Sequence, residues 1–144
     1  MRETSLRNAL VIASCASGLI TAACAMSAPF SRLNADLRGT QWVASAIDGD
    51  PISPARAPRI TFGAEDRLSG SSGCNRMIAV YEAENGRIDV RALGHTEMAC
   101  DAGTMRQEAA FLSILDRASR YERRDGRLTI TGEDGASLSF DLLA

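Results

Sequence analysis

The chain has no lysine, a single histidine, and no apolar run long enough to cross a membrane. All 16 basic residues are arginine, which reads as a compositional habit rather than a site. The lone His95 leaves no H-x-x-x-H pair, and no two cysteines stand as C-x-x-C, so the common zinc spacings are missing. Excess positive charge is missing too. The chain carries 16 basic against 18 acidic residues, a formal charge of −2. That balance argues against nucleic acid as a partner. At 144 residues the chain has room for one domain.

What is present begins with an address. "MRETSLRNALVIASCASGLITAACA" opens with Arg2 and Arg7, continues with an uncharged apolar run from Ala9 to Ile20, and ends in small residues. This is the order of a secretory signal. A run of about a dozen residues spans about 18 Å as a helix, short of the roughly 20 residues a membrane span needs. "ITAAC", Ile20 to Cys24, resembles a bacterial lipobox with Thr21 where leucine is usual. It makes Cys24 the lipidation residue and the membrane a partner through a lipid anchor. Ala25, not aspartate, follows it, which implies an outer-membrane lipoprotein facing the periplasm. The alternative is a soluble periplasmic or secreted protein cut after Ala25 in "ACA". The expected organisation is a signal over residues 1–23, a tether over 24–37 and a domain over 38–144.

From Arg38 onward the pattern is strands and turns. "TQWVASAI" (Thr40–Ile47), "RITF" (Arg59–Phe62), "RLSG" and "NRMIAVYEA" (Asn75–Ala83) read as strands. Asn85-Gly86 signals a type I′ hairpin, because both central positions need positive φ. "RIDVRA" then alternates, with Ile88, Val90 and Ala92 on one face. Asp125-Gly126 and Asp134-Gly135 set off two further strands, "RLTIT" and "SLSFDLL", the second with Leu138, Phe140 and Leu142 expected inward. One helix is expected near Thr104 to Ala118. Thr104 and Gln107 form a capping-box pattern, and Phe111, Ile114, Leu115 and Ala118 make one apolar stripe. The expected class is α+β, a small antiparallel β-rich domain with one main helix packed on the sheet.

One stretch holds the chemistry in question. In "SGSSGCNRM" Cys74 follows a run of glycine and serine and precedes a strand. Cysteine arithmetic narrows the choices. Cys15 leaves with the signal and Cys24 is lipidated or removed, so Cys74 and Cys100 remain as an even pair in an oxidising compartment. Cys74 as a nucleophile with His95 as base, and a zinc site of Cys74, His95 and Cys100, are the reactive alternatives. Neither has supporting motifs, so no catalytic residue, metal or cofactor is expected.

These residues together resemble a known family, the META domain of HslJ-like heat-shock lipoproteins. The resemblance rests on Trp42 near the domain start, "RITFGAEDRLSG", Gly73-Cys74-Asn75 leading to Tyr81, "TEMAC" (Thr96–Cys100), "EAAFLSIL" (Glu108–Leu115) and a final "LTI". It covers about Gly39 to Phe140. It implies a half-barrel rather than a closed barrel, with Trp42, Gly73, Asn75, Tyr81, Thr96 and Met98 as structural motif residues. It also implies a non-enzymatic envelope role under stress, exerted by binding a partner. With both cysteines inside motifs of this pattern, a structural Cys74–Cys100 disulfide is the expectation, and two buried free thiols are the plainer alternative. Asn75 is expected to bond turn backbone, and Trp42 to anchor the core. Rival functions are a module binding a lipid or acyl chain in the cleft, and an inhibitor of a wall hydrolase. The expected partner is accordingly an envelope protein or a hydrophobic ligand.

Overall fold

A computed structural model describes Asn34 and residues 36–144. The segment expected to be a secretory signal, with Cys15 and Cys24, lies outside the described residues. Nine strands and one α-helix follow in order among the described residues: β1 (Thr40–Ile47), β2 (Asp50–Pro51), β3 (Arg59–Phe62), β4 (Arg67–Ser71), β5 (Arg76–Glu84), β6 (Arg87–His95), α1 (Ala102–Asp116), β7 (Ala118–Arg124), β8 (Arg127–Gly132) and β9 (Ser137–Leu142).

The turns follow from their sequences. Asn85-Gly86 has φ of 52° and 78°, and Asp125-Gly126 has 48° and 75°. Both pairs therefore adopt the left-handed geometry that type I′ hairpins require. Asp48-Gly49, at 49° and 86°, makes the same turn between β1 and the two-residue β2. Asp134-Gly135 differs, since only its glycine has positive φ.

All pairings are antiparallel, and the strand order is β2-β1-β3-β4-β5-β6-β7-β8-β9. β1 also pairs with β9, from Trp42↔Leu142 to Ile47↔Leu138. That last pairing closes eight strands into a barrel. The resemblance implied a half-barrel. The ring instead closes at β1–β9 and is thin only between β6 and β7, where a single ladder pair, Arg87↔Arg120, joins them. α1 connects these two strands and lies against β6, β8 and β9.

Strand alternation sends one face inward. Met77, Ala79, Tyr81 and Ala83 of β5 are buried, while Arg76, Ile78, Val80, Glu82 and Glu84 are exposed. The interior is filled by side chains. Trp42, Phe62, Tyr81, Phe111, Phe140 and Leu68 are wholly buried. Phe62 meets Tyr81 edge-on at 4.8 Å, and Phe111 of the helix meets Phe140 of β9 at 6.1 Å. These T-shaped pairs suit the ring quadrupoles and add to the burial of apolar area.

Two expectations about α1 are corrected. Its N-cap is Asp101, not Thr104. The Asp101 carboxylate accepts from the Thr104 amide at 2.9 Å and from the Thr104 hydroxyl at 2.7 Å. Gln107 does not reach back to the cap; its side-chain amide donates to the Arg56 carbonyl at 2.8 Å. The helix also ends at Asp116, so Ala118 belongs to β7. Phe111, Ile114 and Leu115 face inward as expected.

The segment assigned to the tether contributes to the packing. Leu37 is wholly buried, and Asn34 is 1% exposed. The Asn34 amide donates to the Ala83 carbonyl at 2.7 Å, and its side-chain oxygen accepts from the Ala83 amide. Tyr121 donates to the Asp36 carboxylate at 3.1 Å. These contacts hold Asn34, Asp36 and Leu37 over one end of the barrel.

Candidate functional site

The opposite end of β5 carries the cysteine motif. Gly70 and Gly73 bring the chain there. At Gly70 a Cβ would stand 1.9 Å from the Arg59 carbonyl oxygen, so only glycine lets β4 lie that close to β3. Gly73 has φ of +108° and passes the Arg56 carbonyl, where a Cβ would come within 2.9 Å. The turn is locked by Ser72, whose amide donates to the Asn75 carbonyl at 2.9 Å. Cys74 is thereby presented to Cys100 and bonded to it, with the Cα atoms 6.2 Å apart. That distance lies within the usual ~4.4–6.8 Å.

Asn75 sits behind the disulfide and is 2% exposed. Its side-chain oxygen accepts from the Met98 amide at 2.7 Å and from the Thr96 hydroxyl at 2.8 Å. Its side-chain amide donates to Glu108 Oε2 at 2.8 Å and to the Met98 carbonyl at 3.4 Å. The expectation that Asn75 bonds backbone covers half of this. The other half is the Thr96 hydroxyl and the Glu108 carboxylate, the latter read only as part of a motif.

Glu108 lies on the inner face of α1 and is 5% exposed. Its Oε1 accepts from the Asn75 amide at 3.0 Å and from the Ser72 hydroxyl. Burial is the largest influence on this carboxyl and pushes its pKa up. The hydrogen bonds from Ser72 and Asn75 together outweigh it, so the pKa lies below the ordinary glutamate value. The carboxylate is therefore ionised and bound by donors, in the manner of a structural clasp. Every buried side-chain nitrogen or oxygen among the described residues has a partner.

The clasp gathers Gly73, Cys74, Asn75, Thr96, Met98 and Cys100 from the sequence-derived set. Cys24 lies outside the described residues, and the other two stand apart. Tyr81 packs within the barrel, its hydroxyl 3.5 Å from the Gly63 carbonyl. Burial, the main influence, raises its pKa; Arg38 opposes that rise and Asp66 adds to it. Trp42 donates from its indole to the Thr40 hydroxyl at 2.7 Å, and the Arg123 guanidinium lies 5.5 Å over its ring.

The reactive readings of Cys74 lose their thiol. Its sulfur is bonded to Cys100, so it presents no thiolate to a substrate or metal. His95 is exposed and turned to the Thr96 carbonyl at 2.9 Å. Among the described residues no group of three or more His, Cys, Asp or Glu is placed to hold a metal.

Sequence reasoning passed over Ser72, Glu108 and Asp101. A signal for Glu108 was available, because residues 104, 108, 111 and 115 follow helical spacing and the last two are apolar core. A charge on that line is either buried and paired or the stripe is misdrawn.

Comparisons with known proteins agree with this architecture. A family model described as META domain matches residues 35–144. No curated protein matches the chain. An NMR structure of a protein from Burkholderia xenovorans is 28% identical, covers 76% of this chain and 85% of its own, and superposes with a TM-score of 0.62. A second NMR structure is 23% identical over 74% of this chain and 92% of its own, with a TM-score of 0.63. A crystal structure of a DUF4847 family protein from Bacteroides vulgatus is 13% identical over 75% of this chain and 95% of its own, with a TM-score of 0.57. The last two speak to fold alone.

Proposed function

The chain belongs to the META domain family, and we propose that it is a non-enzymatic envelope domain, tethered by lipid at Cys24, that supports the envelope under stress by binding another component. One observation carries the non-enzymatic part. The polar groups gathered at the cysteine motif are spent on one another: Glu108, Asn75 and Ser72 complete each other's hydrogen bonds, and both sulfurs are in the disulfide. A general acid or base needs a pKa moved towards its working pH. The Glu108 carboxyl is moved away from it. The lipobox-like "ITAAC" supports the anchor, and a disulfide suits an oxidising compartment.

Metabolic labelling of the full chain with a clickable fatty acid tests the address. Label and membrane fractionation are expected in the natural chain and lost in Cys24→Ser. Unlabelled protein in both overturns the anchor. Native mass spectrometry of the protein released from its own membranes tests the binding role. A retained component is expected, and a chain that emerges bare from every preparation overturns it.

A further inference from the structure

We propose that Asn75 is a positioning residue for the disulfide: its side chain holds Cys74 and Cys100 opposite each other when the bond is open, so that the pair closes readily and resists reduction. The inference goes beyond the envelope reading and does not depend on the lipid anchor. It rests on two ties that run in parallel. The disulfide joins Cys74 to Cys100 across a sequence separation of 26. The Asn75 side chain joins the same two segments across separations of 23 to Met98 and 21 to Thr96. None of the Asn75 bonds uses a sulfur atom, so they outlast reduction.

Cys100 is held from both sides. Before it, the Asn75 side chain accepts from the Met98 amide at 2.7 Å and donates to the Met98 carbonyl at 3.4 Å. The Thr96 amide donates to the Arg76 carbonyl at 3.0 Å, which fixes the start of the same loop. After it, Asp101 caps α1, and Glu108 of that helix accepts from the Asn75 backbone amide at 3.0 Å and from its side chain at 2.8 Å. The chain on either side of Cys100 is therefore anchored to Asn75, which follows Cys74 directly. The Met98 carbonyl also stands 3.5 Å from the Cys74 sulfur, where it can accept from the thiol of the reduced form.

The chemistry served is thiol–disulfide exchange with a small disulfide such as oxidised glutathione. One protein thiolate attacks the glutathione disulfide, which forms a mixed disulfide and releases one glutathione thiolate. The second protein thiolate attacks the protein sulfur of that mixed disulfide, closes Cys74–Cys100 and releases the other glutathione. The two thiol protons and two electrons of the protein end on the two glutathione molecules. The closing step is intramolecular, so it is governed by the effective concentration of one thiol at the other. A flexible linker supplies about millimolar, and fixed orientation raises that figure by orders of magnitude. Both cysteines are half-buried and residues 95–99 are exposed, so a small disulfide can reach the pair.

The test is redox equilibration against reduced and oxidised glutathione. It uses the purified full chain carrying Cys15→Ser and Cys24→Ser, so that only this pair exchanges. Asn75→Ala should lower the effective concentration at least about tenfold, a shift of about 30 mV towards easier reduction. Thr96→Val, at an exposed position, removes one of the Asn75 bonds and should act in the same direction by less. It decides the matter if the dithiol form of Asn75→Ala fails to fold by circular dichroism. Leu115→Ala lowers stability without removing a clasp bond and should leave the effective concentration unchanged. In the dithiol form with Asn75 intact, the Met98 amide should stay protected from hydrogen exchange. An effective concentration unmoved by both Asn75→Ala and Thr96→Val overturns the proposal. An equal fall in Leu115→Ala also overturns it, because the potential then follows global stability. So does a Met98 amide that loses its protection on reduction alone.

Discussion

Replacing Asn75 by alanine removes the centre of the clasp, and its cost can be worked from the contacts. The side chain supplies one of the donors to the buried Glu108 carboxylate, at 2.8 Å, and the acceptor for the Met98 amide, at 2.7 Å. A hydrogen bond to a charged group is worth about 1.5–3 kcal/mol, and an ordinary one about 1 kcal/mol. Met98 is 55% exposed, so water replaces much of what its amide loses. Glu108 is buried and has no such substitute, though the Asn75 amide and the Ser72 hydroxyl remain to it. The expected loss is about 2–4 kcal/mol, a large part of the ~5–15 kcal/mol that stabilises a domain. The assay is urea unfolding followed by the fluorescence of Trp42, the only tryptophan and wholly buried. Asn75→Asp keeps the shape and sharpens the test. It sets a second carboxylate against Glu108, so it should destabilise at neutral pH and recover as acid supplies a shared proton. If both variants unfold within about 0.5 kcal/mol of the natural protein, the reasoning about the clasp fails.

Further expectations follow from the same contacts. Glu108→Gln should destabilise at neutral pH, because an amide nitrogen then faces the Asn75 donor. The folded-state pKa of Glu108 lies below its unfolded value, so the ionised clasp stabilises fully above the unfolded value and is lost as pH falls through the folded one. The gap between Glu108→Gln and the natural protein should therefore be widest near neutrality and narrow in acid, as read by unfolding at a series of pH values. Cys74→Ala with Cys100→Ala opens a loop with a sequence separation of 26 and should cost at most about 3.5 kcal/mol, measured against the oxidised chain. Gly70→Ala should cost about 1–3 kcal/mol or more by driving a methyl into the Arg59 carbonyl, visible as a fall in Tm. Leu115→Ala, on the inner face of the helix and wholly buried, should cost about 2–5 kcal/mol in the same assay.

Much of this fold was legible because its signals are local. Alternation in "RIDVRA" and "SLSFDLL" marked strands and most of their inward faces, but Ala92, at a bulge with φ of 53°, and Leu142, at the strand end, are exposed rather than inward; Asn85-Gly86 fixed a hairpin through the two residues that tolerate positive φ. Barrel closure was not legible. The β1–β9 pairing joins segments almost a whole domain apart, and no local pattern says which open edges meet. The helix start was misplaced by three residues because Asp101 and Thr104 are both good capping types. Packing of Thr104 against the Asp101 carboxylate, which the sequence does not announce, settles which one caps. The disulfide could be expected from counting cysteines. The clasp behind it could not, because helical spacing puts Glu108 on the buried line but names no donors for it. Only the donors of Ser72 and Asn75, brought in from a distant turn, make its burial tolerable.

The most direct test of a structural rather than reactive cysteine motif is the titration of the Glu108 side-chain carboxyl, followed by carbon-13 NMR in the folded, oxidised protein. A pKa below the ordinary glutamate value is expected. A pKa raised above that value, towards neutrality, would contradict the account and mark Glu108 as a poised acid.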